Sequence, residues 1–196
     1  LKLGKPERPR LAHRLDRGTS GVLLLARSKN SAQWLTAAFK ERETRKVYWA
    51  LVSGYPKKRN GTIDLALKKL PGRHGEKMEI TNDGKTAKTV YRVVDQTSHQ
   101  VAWLALEPKT GRTHQLRVHV ALGLSTPIIG DGKYGGARAY PNGLPYTKSM
   151  QLHARAIKIK NPRGENLTIV APTPADMKAN FKFLGFCESE EKTAFA

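Results

Sequence analysis

The chain has 196 residues, enough for one domain with a substantial core, and carries 35 lysines and arginines against 16 aspartates and glutamates, a formal net charge of +19. A single cysteine excludes a disulfide framework and a cysteine-based zinc site, and no apolar run approaches the roughly 20 residues that span a bilayer. The positive surplus indicates a polyanionic partner. Because the charges are spread through the chain rather than along one amphipathic helix, nucleic acid is favoured over a membrane surface.

The first part of the chain predicts a basic lead-in followed by a strand, a helix and a central strand. Residues 1–11 are basic and contain two prolines, which favours an extended segment. Residues 22–26 form an apolar run typical of a buried strand, and apolar residues at helical spacing predict a helix over 31–43. Residues 46–54 are rich in β-branched and aromatic side chains and apolar on both faces, which predicts a central strand.

The remaining predicted elements are mostly strands joined by hairpins. In chain order they are a strand at 62–67, a basic loop at 68–77, a hairpin of 87–95 with 101–107, a helix at 113–122, an irregular glycine- and proline-rich stretch at 123–146, a hairpin of 152–160 with 166–170, and a helix at 174–184. The fold class that follows is α+β, with a mixed, largely antiparallel sheet flanked by helices and long loops.

The domain organisation follows from the same elements. We expect one domain over residues 12–185, followed by a flexible acidic tail over 186–196. Because the strongest motif of the chain begins at residue 13, we also expect an N-terminal portion of the domain to be missing.

That motif covers residues 13–21, His-Arg-Leu-Asp-Arg-Gly-Thr-Ser-Gly, and holds a single carboxylate, Asp16, between Arg14 and Arg17. Nearby positive charge favours the ionised form of a carboxyl group, so Asp16 is a poor proton donor and a candidate nucleophile or base. For an isolated aspartate beside arginines, a salt bridge in a loop is the commoner interpretation. Further segments of the chain favour the functional interpretation, in which Asp16 is a nucleophile or base.

Five segments together resemble, in order and spacing, the RluA-type family of RNA pseudouridine synthases. They are residues 13–21, Lys46-Val47-Tyr48, residues 111–119, Ile129-Gly130-Asp131 and Leu152-His153-Ala154. The likeness runs from about residue 12 to about residue 172. Within the family, the enzymes that modify large-subunit ribosomal RNA are the most similar.

The resemblance implies isomerisation of uridine to pseudouridine within RNA, with no cofactor and no metal. It assigns the catalytic role to Asp16, and it places Tyr48 against the target base to assist proton removal. It pairs Arg117 with the catalytic aspartate. It also implies that Arg14 holds RNA or fills the space of the flipped base, and that Leu152 lies near the base.

Further cations are expected to contact the RNA. Arg17, Arg112 and His114 lie within the signature segments, and Lys57 and Lys58 lie in a basic turn. Contacts to phosphates set affinity and orientation without reading sequence. For His114 taken alone, as for the other histidines, structural hydrogen bonding is the commoner role.

The chemistry of the residues agrees with the reaction that the resemblance implies. Pseudouridine formation breaks the C1′–N1 bond, turns the uracil and joins C1′ to C5. Positive charge develops on the sugar, and a carboxylate stabilises or traps such a centre. Asp16 could attack C1′ or remove the C2′ proton, and the residues leave both routes open. Flipping the base costs a few kcal/mol, and stacking on Tyr48 offsets part of this, at roughly 1–3 kcal/mol.

Two other classes of function compete with this interpretation. A catalytically silent RNA-binding or ribosome assembly factor on the same fold has no need of Asp16, Tyr48 and Arg117 together. A hydrolase of nucleosides or glycans needs a second acid, and only the distant Glu41, Glu43 and Glu107 are available.

The glycine-rich run at 130–135 lacks the following helix and acid of a dinucleotide fingerprint, so it is predicted to be a loop organised by Asp131. The expected partner is RNA, with ribosomal RNA favoured and transfer RNA the nearest alternative. The expected state is a monomer, away from membranes, in a reducing compartment such as the cytoplasm.

Overall fold

The computed structural model describes residues 8–40, 44–71, 77–98 and 100–190. Within these residues the strands are β1 (Arg10–Leu11), β2 (Ser20–Gly21), β3 (Leu25–Ala26), β4 (Arg45–Ser53), β5 (Asn60–Asp64), β6 (Leu67–Leu70), β7 (Lys77–Ile80), β8 (Lys88–Thr97), β9 (Val101–Pro108), β10 (Leu152–Lys160) and β11 (Asn166–Val170). The α-helices are α1 (Lys29–Lys40), α2 (Gln115–Val118), α3 (Gly132–Gly135) and α4 (Ala175–Leu184). None of the helices in these ranges has both the length and the apolar character needed to cross a membrane.

A seven-stranded sheet organises the chain. Its hydrogen-bonded order is β11-β10-β4-β9-β8-β5, with every neighbouring pair antiparallel, and β2 pairs in parallel with β10. The α+β class with a mixed, largely antiparallel sheet is therefore confirmed. The predicted hairpins correspond to β8–β9 and β10–β11, and the predicted central strand is β4, which lies between β10 and β9.

The two faces of β4 pack against different layers because successive side chains of a strand point in opposite directions. On one face, Ala50 and Val52 are fully buried and pack in the same cluster as Leu116 of α2. On the other face, Trp49 packs with Phe181 of α4, and their ring centroids are 5.9 Å apart. The strand that reaches the functional residues is thus held rigidly from both sides.

The predicted helix over 113–122 is present in an irregular form. The α-helical part, α2, is short and is followed by a π-helix at His119–Gly123. The helix begins after His114, whose backbone φ of 52° lies in the left-handed region. This turn redirects the chain, so that the regular helix starts two residues later than its apolar spacing indicates.

Two predicted elements near the start of the chain differ from the structure. Residues 22–26 were predicted to form a buried strand, but only β3 is a strand there, and Leu23 and Leu25 are 43% and 39% exposed. The run lies beside the short strand β1 rather than inside the large sheet. Leu24 and the buried Ala26 pack in a cluster with residues of α1, whereas Leu23 and Leu25 lie on the opposite face, which is left uncovered. The predicted helix over 31–43 is α1, and residues 41–43 lie outside the described residues.

The basic loop predicted at 68–77 is partly strand, because residues 68–70 belong to β6 and residue 77 belongs to β7. β6 and β7 pair as a separate two-stranded sheet, and residues 72–76 lie outside the described residues. At the other end of the chain, Phe186 belongs to the segment predicted as a tail, yet it is buried against Trp103 and Phe181. The packed structure therefore continues past Gly185, where α4 ends; residues 1–7 and 191–196 lie outside the described residues.

Candidate active site

The loop that carries Asp16 is attached to the central sheet through its backbone. The Thr19 amide donates to the Asp16 carbonyl over 2.9 Å, which closes a tight turn directly after the carboxylate. β2 then pairs in parallel with β10, and the Val22 amide donates to the Ala154 carbonyl over 2.9 Å. Asp16 is therefore held a few residues from a strand of the rigid sheet.

Gly21 and a buried histidine complete this attachment. Gly21 has a φ of +113°, and a Cβ atom there would lie 2.2 Å from the Ala154 carbonyl oxygen, so only glycine fits. Ser20 Oγ is hydrogen-bonded to Nδ1 of the buried His153 over 2.8 Å. Burial lowers the pKa of His153, which favours the neutral ring. The attachment consequently joins β2 to β10 through both backbone and side chains.

Asp16 lies in the wall of a cavity of about 630 Å³, within the range of roughly 300–1,000 Å³ that is common for small-molecule sites. Residues 12–16, the end of α1, the start of β4 and residues 107–113 contribute to the wall. Tyr48, Leu116 and Leu152 provide an aromatic ring and two apolar side chains beside the carboxylate. The cavity thus combines an acid with surfaces suited to a planar base.

Tyr48 is electrostatically linked to Asp16. Burial, and after it the negative charge of Asp16, raises the pKa of Tyr48 to about 12. The phenol therefore stays protonated at neutral pH, where it offers a ring for stacking and a hydroxyl for hydrogen bonding.

Arg117 pairs with Asp131 rather than with Asp16. Its Nε and Nη2 atoms donate to the two carboxylate oxygens of Asp131 over 2.8 and 2.7 Å, and both side chains are buried. Burial opposes the charge of Arg117, but the hydrogen bond to Asp131 and the negative charges of Asp131 and Asp16 outweigh it and raise the pKa. The predicted ion pair between Arg117 and Asp16 is therefore wrong for this structure, because Asp131 already occupies two donors of the guanidinium.

The carboxylate of Asp16 has no hydrogen-bond or ion-pair partner among the side chains of residues 8–40, 44–71, 77–98 and 100–190. It still lies close enough to contribute to the raised pKa of Arg117. Asp16 is thus a half-buried acid that faces the cavity with positive charge nearby and without a direct contact.

A second layer of contacts fixes Arg117 from behind. The guanidinium lies over the ring of Tyr134, 5.0 Å from its centroid. The Tyr134 hydroxyl accepts the Met78 amide over 3.0 Å and is 2.7 Å from His114 Nδ1. His114 therefore makes a structural hydrogen bond and does not line the cavity, although it was predicted to contact RNA. The glycine-rich run at 130–135, predicted to be a loop organised by Asp131, contains the short helix α3, and the Asp131 carboxylate binds Arg117 rather than capping that helix.

The other predicted RNA contacts fall into two groups. Arg14 and Arg112 line the cavity that holds Asp16. Arg17 is an exposed residue of the Asp16 loop and does not line the cavity. Lys57 and Lys58 are exposed but follow the far end of β4, away from the end that reaches the cavity. The structure therefore does not bring Lys57 and Lys58 together with the predicted catalytic residues.

Sequence reasoning missed a cluster of charges on the cavity wall. Arg45 Nε donates to Glu107 Oε1 over 3.0 Å, and Lys109 Nζ is 2.5 Å from the same oxygen. Burial alone would raise the pKa of Glu107, but the hydrogen bonds from Arg45 and Lys109 outweigh it and lower the pKa. Glu107 does share the cavity with Asp16, yet it is held ionised, which does not suit the proton donor of a glycoside hydrolase.

Lys46 was also missed, although the alternation of side chains along a strand could have found it. It lies two residues before Tyr48, so both side chains lie on the face of β4 that lines the cavity. Of the other acids considered for a hydrolase, Glu41 and Glu43 lie outside the described residues.

Comparison with known proteins gives consistent matches. The sequence model of a family described as RNA pseudouridylate synthase matches residues 1–122. An uncharacterized RNA pseudouridine synthase of Zymomonas mobilis is 40% identical over 179 residues, which is 91% of this chain and 77% of the relative. The dual-specificity RNA pseudouridine synthase RluA of Salmonella typhi is 41% identical over 162 residues, 82% of this chain and 71% of the relative.

The fold gives a similar result. Human RNA pseudouridylate synthase domain containing 4 superimposes with a TM-score of 0.75 at 30% identity, covering 91% of this chain and 77% of the human chain. Several other curated relatives are longer, and this chain spans between 33% and 55% of their length.

Proposed function

The chain belongs to the RNA pseudouridine synthase family, whose members are isomerases, and we propose that residues 12–185 form a catalytic domain in which Asp16, Tyr48 and Arg117 convert uridine to pseudouridine. The observation that carries these assignments is the cavity in which a carboxylate without a direct ionic partner lies beside an aromatic ring. RNA is the substrate class of the family. A single, exposed cysteine fits a reducing compartment such as the cytoplasm.

The reaction is an isomerisation, so every bond that breaks is balanced by one that forms. The C1′–N1 bond breaks and its electron pair stays with the uracil, while Asp16 either bonds to C1′ or takes the C2′ proton. The uracil then turns, and C5 bonds to C1′ as the Asp16 bond breaks or the C2′ proton returns. Finally C5 loses its proton and N1 gains one. The positive charge that develops on the sugar is what the Asp16 carboxylate stabilises.

Tyr48 and Arg117 support these steps in different ways. Because the pKa of Tyr48 is about 12, a preformed phenolate is negligible at pH 7, about one molecule in 100,000. Tyr48 therefore acts as a neutral phenol that stacks on the base and assists removal of the C5 proton. Arg117, oriented by Asp131, places positive charge near Asp16.

The favoured substrate is ribosomal RNA, on the strength of the resemblance to the large-subunit enzymes, and transfer RNA is the alternative. The Salmonella relative is named a dual-specificity enzyme, which makes more than one RNA a candidate. The proposed state is a monomer.

Tritium release from RNA labelled at uridine C5 tests the proposal, because the reaction must exchange that hydrogen whereas binding cannot. The parent is expected to release tritium, and Asp16→Asn is expected to release none while its RNA dissociation constant stays within about twofold. Asp64→Asn is a matched control, since Asp64 forms an exposed ion pair with Lys88 and does not line the cavity.

Release by Asp16→Asn at the parent rate would refute the catalytic role. No release by a folded parent that still binds RNA would favour the silent RNA-binding factor instead.

A further inference from the structure

Lys46 is a partly buried cation that forms no ion pair with any of the residues that the structure describes. Its side chain lines the cavity, and burial lowers the pKa of its ammonium group. Among residues 8–40, 44–71, 77–98 and 100–190, no carboxylate lies within 4.0 Å of its nitrogen. Removing an ammonium from water is unfavourable unless an anion or a set of hydrogen bonds replaces the water. The described part of the chain supplies no such anion.

The surroundings of Lys46 provide aromatic and uncharged groups rather than an anion. Its nitrogen lies 5.7 Å from the ring centroid of Phe39. Its charge also lowers the pKa of His13, after the larger effect of burial, so His13 is close and remains neutral near pH 7. His13 Nε2 accepts the Leu24 amide over 2.9 Å, which fixes the ring in place. Neither Phe39 nor His13 carries a negative charge that would neutralise the ammonium.

The neighbouring cations of the same wall differ in this respect. Arg45 and Lys109 both contact Glu107, so each has an anionic partner within the protein. Lys46 lies on the same face of β4 as Tyr48, the residue expected to contact the target base. Lys46 and Tyr48 are only two residues apart, so a base that contacts Tyr48 and an anion that Lys46 binds can belong to the same nucleotide.

We propose that Lys46 binds a phosphodiester group next to the target uridine when that nucleotide enters the cavity. This assignment rests on the proposed function and makes it more specific. A lysine ammonium forms short, charge-assisted hydrogen bonds to phosphate oxygens and acts as a point charge with few demands on geometry. The incoming phosphate supplies the anion that the free cavity lacks, so the contact assists entry of the nucleotide as well as affinity.

The test uses short RNAs with one target uridine, in which a neutral methylphosphonate replaces one phosphate at a time around that uridine. Dissociation constants are measured for the parent, Lys46→Met, Lys46→Arg and the control Lys178→Met, whose lysine is exposed on α4 outside the cavity. We expect one linkage at which the methylphosphonate weakens RNA binding about tenfold, both for the parent and for Lys178→Met. Lys46→Met should bind the unmodified RNA about tenfold more weakly and be insensitive at that linkage, with a salt slope lower by about 0.7.

Lys46→Arg retains the charge and should keep sensitivity at the same linkage. Because the ammonium has no ion pair to lose among the described residues, and methionine can still pack on the Phe39 ring, Lys46→Met should melt close to the parent temperature, which separates loss of binding from loss of folding. If Lys46→Met is as sensitive as the parent at every linkage, or if the parent is sensitive at none, the assignment is wrong.

A variant that binds with the parent profile but turns over slowly would also overturn the assignment, in favour of a role in proton transfer. Binding is measured apart from turnover, so the two proposals fail separately. A parent with the expected linkage profile and no tritium release would refute the isomerase and leave the phosphate contact standing.

Discussion

Replacing Asp131 by asparagine is expected to destabilise the protein by about 3 kcal/mol. Asp131 is 2% exposed and takes two hydrogen bonds from Arg117, which is itself buried. Removing one partner of a buried ion pair costs about 3–5 kcal/mol, because the other charge is left uncompensated, and asparagine keeps one acceptor oxygen, which favours the lower figure. For a chain of this size, that loss lowers the Tm by roughly 6–12 °C.

A double-mutant cycle measured by urea denaturation isolates the pair. The variants are Asp131→Asn, Arg117→Met and the two combined, and the coupling energy should be at least about 2 kcal/mol, because the double variant no longer leaves a lone buried charge. The matched control is the exposed pair of Asp64 and Lys88, for which Asp64→Asn and Lys88→Met should couple by at most about 1 kcal/mol.

The reasoning predicts an effect on turnover as well. In Asp131→Asn the guanidinium of Arg117 is free to pair with the Asp16 carboxylate, so tritium release should fall while RNA affinity changes little. A coupling energy equal to that of the surface control would show that the buried pair does not hold Arg117 in place. Full activity in Asp131→Asn would refute the positioning role of the carboxylate.

Two further predictions concern the backbone and the charges of the site. Gly21→Ala should destabilise the protein by about 2–3 kcal/mol and reduce turnover, because its Cβ atom would lie 2.2 Å from the Ala154 carbonyl oxygen. The control is Gly143→Ala, which should destabilise less, since Gly143 has a φ of +86° but no atom within 4 Å of the added Cβ. An equal loss of stability in the thermal melts of both variants would refute the clash. Glu107→Gln should destabilise by at most about 1 kcal/mol at pH 7. The pKa of Glu107 is lower in the folded than in the unfolded protein. The stabilisation by Glu107 is therefore fully present above the unfolded-state pKa and is lost as the pH falls through the folded-state pKa. A difference in stability between Glu107→Gln and the parent that persists at pH 2 would contradict this sign.

Local patterns in the sequence predicted the elements at the middle of the sheet. β4, β9 and β10 carry apolar and β-branched residues in patterns that depend only on neighbours along the chain, and their predicted bounds agree with the structure to within a residue or two. The apolar run at 22–26 shows the limit of such patterns. A run of this kind does not reveal whether another layer covers it, and Leu23 and Leu25 lie where none does.

The sequence predicted several residues of the candidate site, but not which of them contact each other. Asp16, Tyr48 and Leu152 do line one cavity, and motif order was enough to select them. The partner of Arg117 was wrong because the glycine-rich turn brings Asp131 against α2, and that tertiary contact is not encoded in spacing. Lys57 and Lys58 were selected for their charge alone, and charge does not tell where on the surface a turn lies.

The attachment of the Asp16 loop to β10 has a consequence for the time at which the protein becomes active. Ser20 and His153 are 133 residues apart in sequence, so the loop is synthesised long before the strand that holds it. At about 5–20 residues per second, the ribosome needs roughly 7–27 s to make the intervening chain. Contacts between such distant segments form late in folding. The nascent chain therefore carries the cations of residues 13–21 before β10 exists, whereas the carboxylate reaches its working position only after β10 has been made.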